Sequence, residues 1–139
     1  MTLVTIPLTR ARPLSRGMRV LELLLAALFV GSGAAKLLAV PSMVSLFAEI
    51  GVGQWFRLVI GVTELAGGVL LLSRVLAGVG AVMLTGVMAG AIMTNVLVLR
   101  TSPLVPTMTL LALVTVSWHR RTELVALARR LPGIRAIIL

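Results

Sequence analysis

Residues 58–72 read LVIGVTELAGGVLLL, an apolar stretch with one carboxylate, Glu64, near its centre. The nearest charged residues are Arg57 and Arg74, which stand on either side of the stretch. An ionised carboxylate in the middle of a membrane helix costs roughly 3 kcal/mol on insertion scales, so it is kept where it faces a partner group or a wet cavity. The stretch therefore predicts a membrane helix whose Glu64 face points into a helical bundle.

The composition of the whole chain agrees with a membrane protein. Of its 139 residues, 59% are hydrophobic and 12% are charged, far from the proportions of a soluble domain. The net charge of +9 could suggest a nucleic-acid partner, but the basic residues flank apolar stretches and only 4% of residues are aromatic. We therefore expect the lipid bilayer, and no nucleic acid, as the partner of these charges.

Several residue types that build catalytic and cofactor sites are missing from the sequence. It has no Cys, no Tyr and no Asp, and a single His. This composition excludes thiol chemistry, thioether-linked haem, iron–sulfur clusters, multi-histidine metal sites and Ser-His-Asp triads built from this chain. We expect no metal site, no covalently bound cofactor and no catalysis by this chain alone.

Hydropathy and turn residues predict an all-α, polytopic membrane protein with a four-transmembrane-helix bundle. A basic cytoplasmic arm (1–17) precedes the bundle, and a basic, interfacial cytoplasmic tail (119–139) follows it. Pro41 is expected to stop the first helix, and Ser42 to cap a short interfacial helix that ends at Ile50. The four spans are expected at residues 18–40, 55–72, 75–99 and 104–118.

A cleaved signal peptide is the competing interpretation of the first span. The chain starts with several arginines, continues with an apolar stretch and reaches small residues at 31–35. Signal peptides have short, uncharged apolar regions, whereas this stretch contains Glu22 and continues past Lys36. These two features favour a span. Glu22 is expected to form a local ion pair with Arg19, one turn earlier.

The distribution of basic residues predicts the orientation of the chain. Four spans place both termini on one side of the membrane, and most arginines outside the spans lie on that side. Arg57 and Arg100 lie on the other side. By the positive-inside rule, we expect a multi-pass protein of the cytoplasmic membrane with both termini in the cytoplasm.

Charged and polar side chains of three spans are expected to meet. Residues seven apart share one face of a helix, which applies to Arg57 and Glu64 in the second span. Lys36 and Asn95 lie near the outer ends of the first and third spans. We predict that Lys36, Glu64, Asn95 and Arg57 converge on a ligand-binding polar pocket in the outer half of the bundle. A Lys36–Glu64 ion pair that only fixes helix register is the alternative.

Glycines accompany this charged face. Gly33 stands in the first span and Gly61 and Gly68 flank Glu64 in the second, while residues 86–90, GVMAG, form a small-xxx-small motif in the third. Small residues let helices approach closely. We expect all of these glycines, including Gly86 and Gly90, to pack inside the bundle. A homo-oligomer formed through the third-span motif is the less favoured alternative.

Four segments carry a resemblance to a known family. FVGSGAAK (29–36) is similar to F-x-x-x-G-x-x-K, LFAEIG (46–51) to fa-x-x-G, GVTELAGG (61–68) to G-x-x-E-x-x-G-G, and MAGAIMTN (88–95) to M-x-x-A-x-x-T-H. These are signatures of the DoxX-like family, and their order and spacing resemble it across residues 18–118.

The resemblance implies a four-helix membrane bundle with Lys36 and Glu64 at positions that the family marks. Asn95 stands where the family often has His, and Asn cannot relay a proton as an imidazole does. Members are linked to membrane oxidoreductase assemblies, including thiosulfate:quinone and oxidative-stress systems, and relatives are linked to cargo handling.

Two functions agree with the pocket and the resemblance. The first is an accessory or quinone-contacting subunit of a membrane redox assembly, in which Lys36 and Asn95 donate to a quinone oxygen and Glu64 accepts a proton. A redox partner protein would then supply the electrons. The second is a small lipid or solute carrier, or an adaptor, that uses the same polar pocket.

Overall fold

The computed structural model describes residues 15–130, which form six α-helices and contain no strand. The prediction of an all-α chain is confirmed for this part of the protein. The arm before Ser15 and the tail after Arg130 lie outside the described residues. The helices are α1 (Arg16–Leu37), α2 (Pro41–Ile50), α3 (Gln54–Leu72), α4 (Ala77–Leu97), α5 (Leu104–His119) and α6 (Arg121–Arg130).

Three of these helices, α1, α3 and α4, are long and apolar enough to cross a membrane. The helix α5 is apolar too, but its 16 residues reach only about 24 Å, which is less than the roughly 30 Å of a hydrocarbon core. The sequence prediction of three long spans agrees with these helices, and the fourth crossing stays a prediction.

The turn between α1 and α2 differs from the prediction. The first helix ends at Leu37, well before Pro41, and Ala39 then turns the chain with a left-handed φ of 54°. Pro41 begins α2 instead of stopping α1, because a first-turn position loses nothing by lacking an N–H group. Val40, and not Ser42, occupies the N-cap, and no side chain caps this helix.

Glycines bring α1 and α3 into backbone contact. A Cβ atom on Gly33 would lie 2.7 Å from both the carbonyl oxygen of Gly61 and the backbone nitrogen of Leu65. On Gly68 it would lie 2.9 Å from a methyl group of Val30. Only glycine leaves room for this approach, which the sequence predicted for Gly33, Gly61 and Gly68.

Gly86 and Gly90 correct the expectation of tight packing in the third span. No atom lies within 4 Å of a Cβ placed on either residue, and both are exposed. They line an open cavity, because the face of α4 that carries them is turned away from α3. The close α3–α4 contact uses Gly67 and Gly80, since a Cβ on Gly80 would lie 2.7 Å from the Gly67 carbonyl oxygen.

The four longest helices surround a common apolar core. The helix α3 packs on α1 and α4, α4 packs on α5, and α1 and α5 touch only sparsely. We call this last contact the α1–α5 seam. The fully buried core side chains come from all four helices and include Phe29, Leu71, Leu84 and Leu113.

One end of the bundle, here called the arginine end, is held together by two arginines. It is the end where α1 and α4 begin and α3 and α5 end. Arg19 donates to the carbonyl oxygen of Leu72 at 2.7 Å, and Arg120 donates to that of Arg74 at 2.6 Å. The helix α6 packs across this end on the start of α4.

Candidate functional site

A cavity of about 460 Å³ lies between the helices at the end of the bundle opposite the arginine end. Residues of α1 to α5 line it, and α2 contributes part of the wall through Phe47, which is buried. Most of the surface is apolar, with Phe29, Phe56 and Met88 among the lining side chains. The polar lining residues are Ser32, Lys36, Glu64, Thr94, Asn95 and Thr109.

Lys36 and Glu64 form a buried ion pair in the wall of this cavity. The Nζ atom of Lys36 donates to Oε2 of Glu64 at 2.8 Å and to Oγ of Ser32 at 2.7 Å. Lys36 is 7% exposed and Glu64 is 4% exposed. The backbone contact between α1 and α3 brings the side chains of Lys36 and Glu64 within reach of each other, because the β-carbon of Lys36 lies against Gly61.

Each member of the pair keeps an unused hydrogen-bonding position. An ammonium group has three donors, and Lys36 uses two of them within the described residues. Oε1 of Glu64 accepts no hydrogen bond from the described residues. Every fully buried side-chain oxygen or nitrogen in those residues has a hydrogen-bond partner, so Oε1 is not fully buried. Oε1 of Glu64 is therefore accessible from the cavity. The pair can donate to one atom of a ligand and accept from another.

Asn95 lines the same cavity but does not contact the ion pair. Its Oδ1 atom accepts a hydrogen bond from the hydroxyl of Thr101 at 3.2 Å, and this bond fixes the orientation of the amide. The amide nitrogen donates to none of the described residues. The structure thus brings Asn95 to the expected cavity, where its N–H groups remain free for a ligand.

Arg57 differs from the expectation, since it does not line the cavity. Its Nη1 donates to the backbone carbonyl of Lys36, and its Nε donates to Oε1 of Gln54 at 2.7 Å. The last carbonyls of a helix lack intrahelical partners and carry partial negative charge, so a nearby guanidinium binds them. Arg57 thereby links the end of α1 to the start of α3 and stabilises the backbone at Lys36.

Two features of the site were not anticipated from the sequence. One is Ser32, which could have been found because it precedes Lys36 by one helical turn. The other is the contribution of α2, which was assigned to the membrane interface. Leu46, Phe47 and Ile50 of α2 line the cavity, and no periodicity within ten residues could reveal that contact.

The family model described as the DoxX-like family matches residues 20–117, which is more than half of the chain. The chain belongs to the DoxX-like family. All four motif segments lie inside the match, and the resemblance inferred from them is confirmed. Family membership and the three long apolar helices together indicate a membrane protein. No curated protein and no solved structure matches the chain.

This DoxX-like chain has a second buried ion cluster, at the arginine end. Glu22 is 0% exposed and accepts from Nε and Nη2 of Arg120 at 2.6 and 2.8 Å. The expected pair with Arg19 is also present, at 3.0 Å. Arg120 additionally pairs with Glu123 at 2.7 Å. Arg120 had been assigned to a surface tail, and no local pattern could link two residues 98 positions apart.

The charge of Arg120 is secured by its surroundings. Burial alone would lower the pKa of Arg120, but the hydrogen bonds and charges of Glu22 and Glu123 outweigh burial and raise the pKa above its ordinary value. Arg120 and Glu123 lie beyond the end of the family match at residue 117. The contacts of Arg120 with Glu22 and Glu123 link α1 to the α5–α6 turn, at the end of the bundle opposite the cavity.

Proposed function

We propose that the chain crosses the membrane four times, with α1, α3, α4 and α5 as spans and both termini in the cytoplasm. The proposal is supported by the three helices of sufficient length and by the apolar character of α5. It is also supported by the exposed arginines at the arginine end, which the positive-inside rule assigns to the cytoplasm. The shortness of α5 is compatible with local thinning of the bilayer.

We propose further that the cavity receives the head group of a quinone, and that the chain is an accessory, quinone-contacting subunit of a membrane redox assembly. The observation that carries this proposal is the unused donor of Lys36 and the accessible Oε1 of Glu64 in a largely apolar wall. A quinone offers carbonyl oxygens to a donor, and its reduced form offers hydroxyl groups to a carboxylate. The volume of about 460 Å³ lies within the usual range for small-molecule sites.

The role of this chain in such an assembly is binding and not electron transfer. The side chains that line the cavity include no redox-active group, so electrons would pass between the quinone and a partner subunit. Glu64 can hold or release the proton that a quinone oxygen gains or loses. Asn95 can donate to a second oxygen but does not relay protons.

A lipid or solute carrier is the second candidate, and one feature of the cavity favours it. Leu28 and Val105 line the cavity and are also 52% and 74% exposed on the outside of the bundle. The cavity is therefore open to the surface of the bundle. Both functions use the same opening, so they are distinguished by identifying the ligand and not by the geometry of the cavity.

Quinone binding is tested by fluorescence titration of the purified chain in detergent. Trp55 packs edge-to-face on the cavity residue Phe56 at 5.8 Å, so a quinone in the cavity should quench its emission. Trp118→Phe removes the other tryptophan. We expect saturable quenching by decylubiquinone and none by decylbenzene, which has a comparable tail without the oxygens.

The decisive variant removes both charges of the pair. Lys36→Met with Glu64→Gln should weaken decylubiquinone binding at least about ten-fold, the loss expected for a hydrogen bond to a charged group. Glu49→Gln is the matched control, because Glu49 is an exposed acid outside the cavity lining. Unsaturable quenching, or equal binding by the double variant, would overturn the quinone proposal. Transfer of phospholipid between vesicles, lost in the double variant, would establish the carrier instead.

A further inference from the structure

The arginine end carries positive charge that its own acidic residues do not neutralise. The sequence has four acidic residues, and two of them, Glu22 and Glu123, lie at this end. Both are already bound by Arg19 or Arg120. Within the part of the chain that the structure describes, five exposed arginines near this end or on α6 form no ion pair, namely Arg16, Arg74, Arg121, Arg129 and Arg130.

A groove of about 300 Å³ lies on the α1–α5 seam at the same end. Met18 of α1 and Val114, Thr115, Trp118 and His119 of α5 line it. The hydroxyl of Thr115 donates to the carbonyl of Leu111 within its own helix, so apart from the ring nitrogens of Trp118 and His119 the wall offers apolar surface. The groove is shaped for an apolar chain at a place where the two helices barely touch.

One of the unpaired arginines is held at the edge of this groove. The guanidinium carbon of Arg121 lies 4.4 Å from the ring centre of Trp118, in a cation–π contact. Arg121 is itself exposed, so its charged group stays open to a ligand. A guanidinium binds phosphate through paired N–H groups. The groove thus combines an apolar wall with a fixed cation at its rim.

We propose that this groove is a site for one anionic phospholipid of the bilayer, with the phosphate at Arg121 and an acyl chain along the α1–α5 seam. Basic pockets between membrane helices bind anionic head groups in this way. The lipid would fill the sparse contact between Met18 and Val114, on the two sides of the seam. The proposal is independent of the quinone proposal, which concerns the opposite end of the bundle.

A second copy of the chain is a poorer occupant of the seam. Its own unpaired arginines would meet those of the first copy, and like charges at short range are costly. An anionic lipid brings the missing negative charge and the apolar chain in one molecule. Charge complementarity therefore favours the lipid.

The test compares two lipids and three variants of the full chain by native mass spectrometry after delipidation in detergent. We expect the wild type to retain one dioleoylphosphatidylglycerol at concentrations at which dioleoylphosphatidylcholine is not retained. Arg121→Gln should weaken this retention about ten-fold. Arg130→Gln is the matched control, with the same change of charge on the same helix, and should change retention less than about two-fold.

Filling the groove provides a variant that leaves every charge in place. Val114→Trp puts a large ring on a residue that is 46% exposed, so the fold should persist while the groove is blocked. We expect it to abolish retention of phosphatidylglycerol. Equal losses for Arg121→Gln and Arg130→Gln, graded binding of many lipids, or unchanged retention by Val114→Trp would overturn the site. A dimer that excludes the lipid would assign the seam to a second copy.

Discussion

Lys36→Met and Glu64→Gln are each expected to destabilise the protein when made alone, whereas the double variant should be nearly as stable as the wild type. Both side chains of the pair are buried, and Nζ of Lys36 lies 2.8 Å from Oε2 of Glu64. Removing one partner leaves the other charge buried and with little access to water. Breaking a buried ion pair in this way costs about 3–5 kcal/mol. Ser32 is the remaining partner of Lys36, and a single neutral hydroxyl does not replace a carboxylate.

The double variant has no unpaired charge and should lie within about 1 kcal/mol of the wild type. Unfolding in mixed micelles by titration with dodecyl sulfate, followed by circular dichroism, measures these differences. Glu49→Gln is the control for loss of an exposed carboxylate and should show no such loss. Losses that are additive in the double variant would refute the idea that Lys36 and Glu64 stabilise each other as a buried ion pair.

Three further predictions concern the glycine contact, the arginine end and the orientation. Gly33→Ala should lower the free energy of unfolding by about 1–3 kcal/mol, because its methyl group meets backbone atoms of α3, whereas Gly86→Ala should be neutral or stabilising in the same titration. Arg120→Met should cost up to about 3–5 kcal/mol, because the buried carboxylate of Glu22 would keep only Arg19 as an ion-pair partner, while the same change at an exposed arginine of α6 should cost less than about 0.5 kcal/mol. In intact cells, a cysteine placed at Ser42 should react with an impermeant maleimide and one at Ser15 should not, and the reverse pattern would contradict the proposed orientation.

The ion pair at the cavity could be predicted because it is encoded locally. Lys36 and Glu64 stand alone in long apolar stretches, and a charge in such a position needs a partner. Gly33 and Gly61 mark the faces on which helices can approach, and they share those faces with the charges. Hydropathy and residue spacing therefore predict both the Lys36–Glu64 pair and the α1–α3 backbone contact that brings its members together.

The rest of the site depends on tertiary contacts for which the sequence holds no local signal. Arg57 lies on the same face of α3 as Glu64, which lines the cavity. Its guanidinium instead binds a free backbone carbonyl at the end of α1. Arg120 looks like one of several flanking arginines, and only the return of α5 beside α1 brings it to Glu22. Gly86 and Gly90 match a packing motif, although the motif does not say which face of α4 meets a neighbour.

The backbone contact between α1 and α3 divides the cavity wall into an unyielding part and an adaptable part. Lys36 and Glu64 both stand on the glycine-joined pair, where no flexible side chain separates the two backbones at Gly33. The rest of the wall belongs to α2, α4 and α5, and α5 has few contacts with α1. We therefore expect changes in the width of the cavity to come from movement of α5 relative to α1. A guest molecule would meet a constant geometry at its polar head and a tolerant one along its tail, which favours selectivity for head chemistry over chain length.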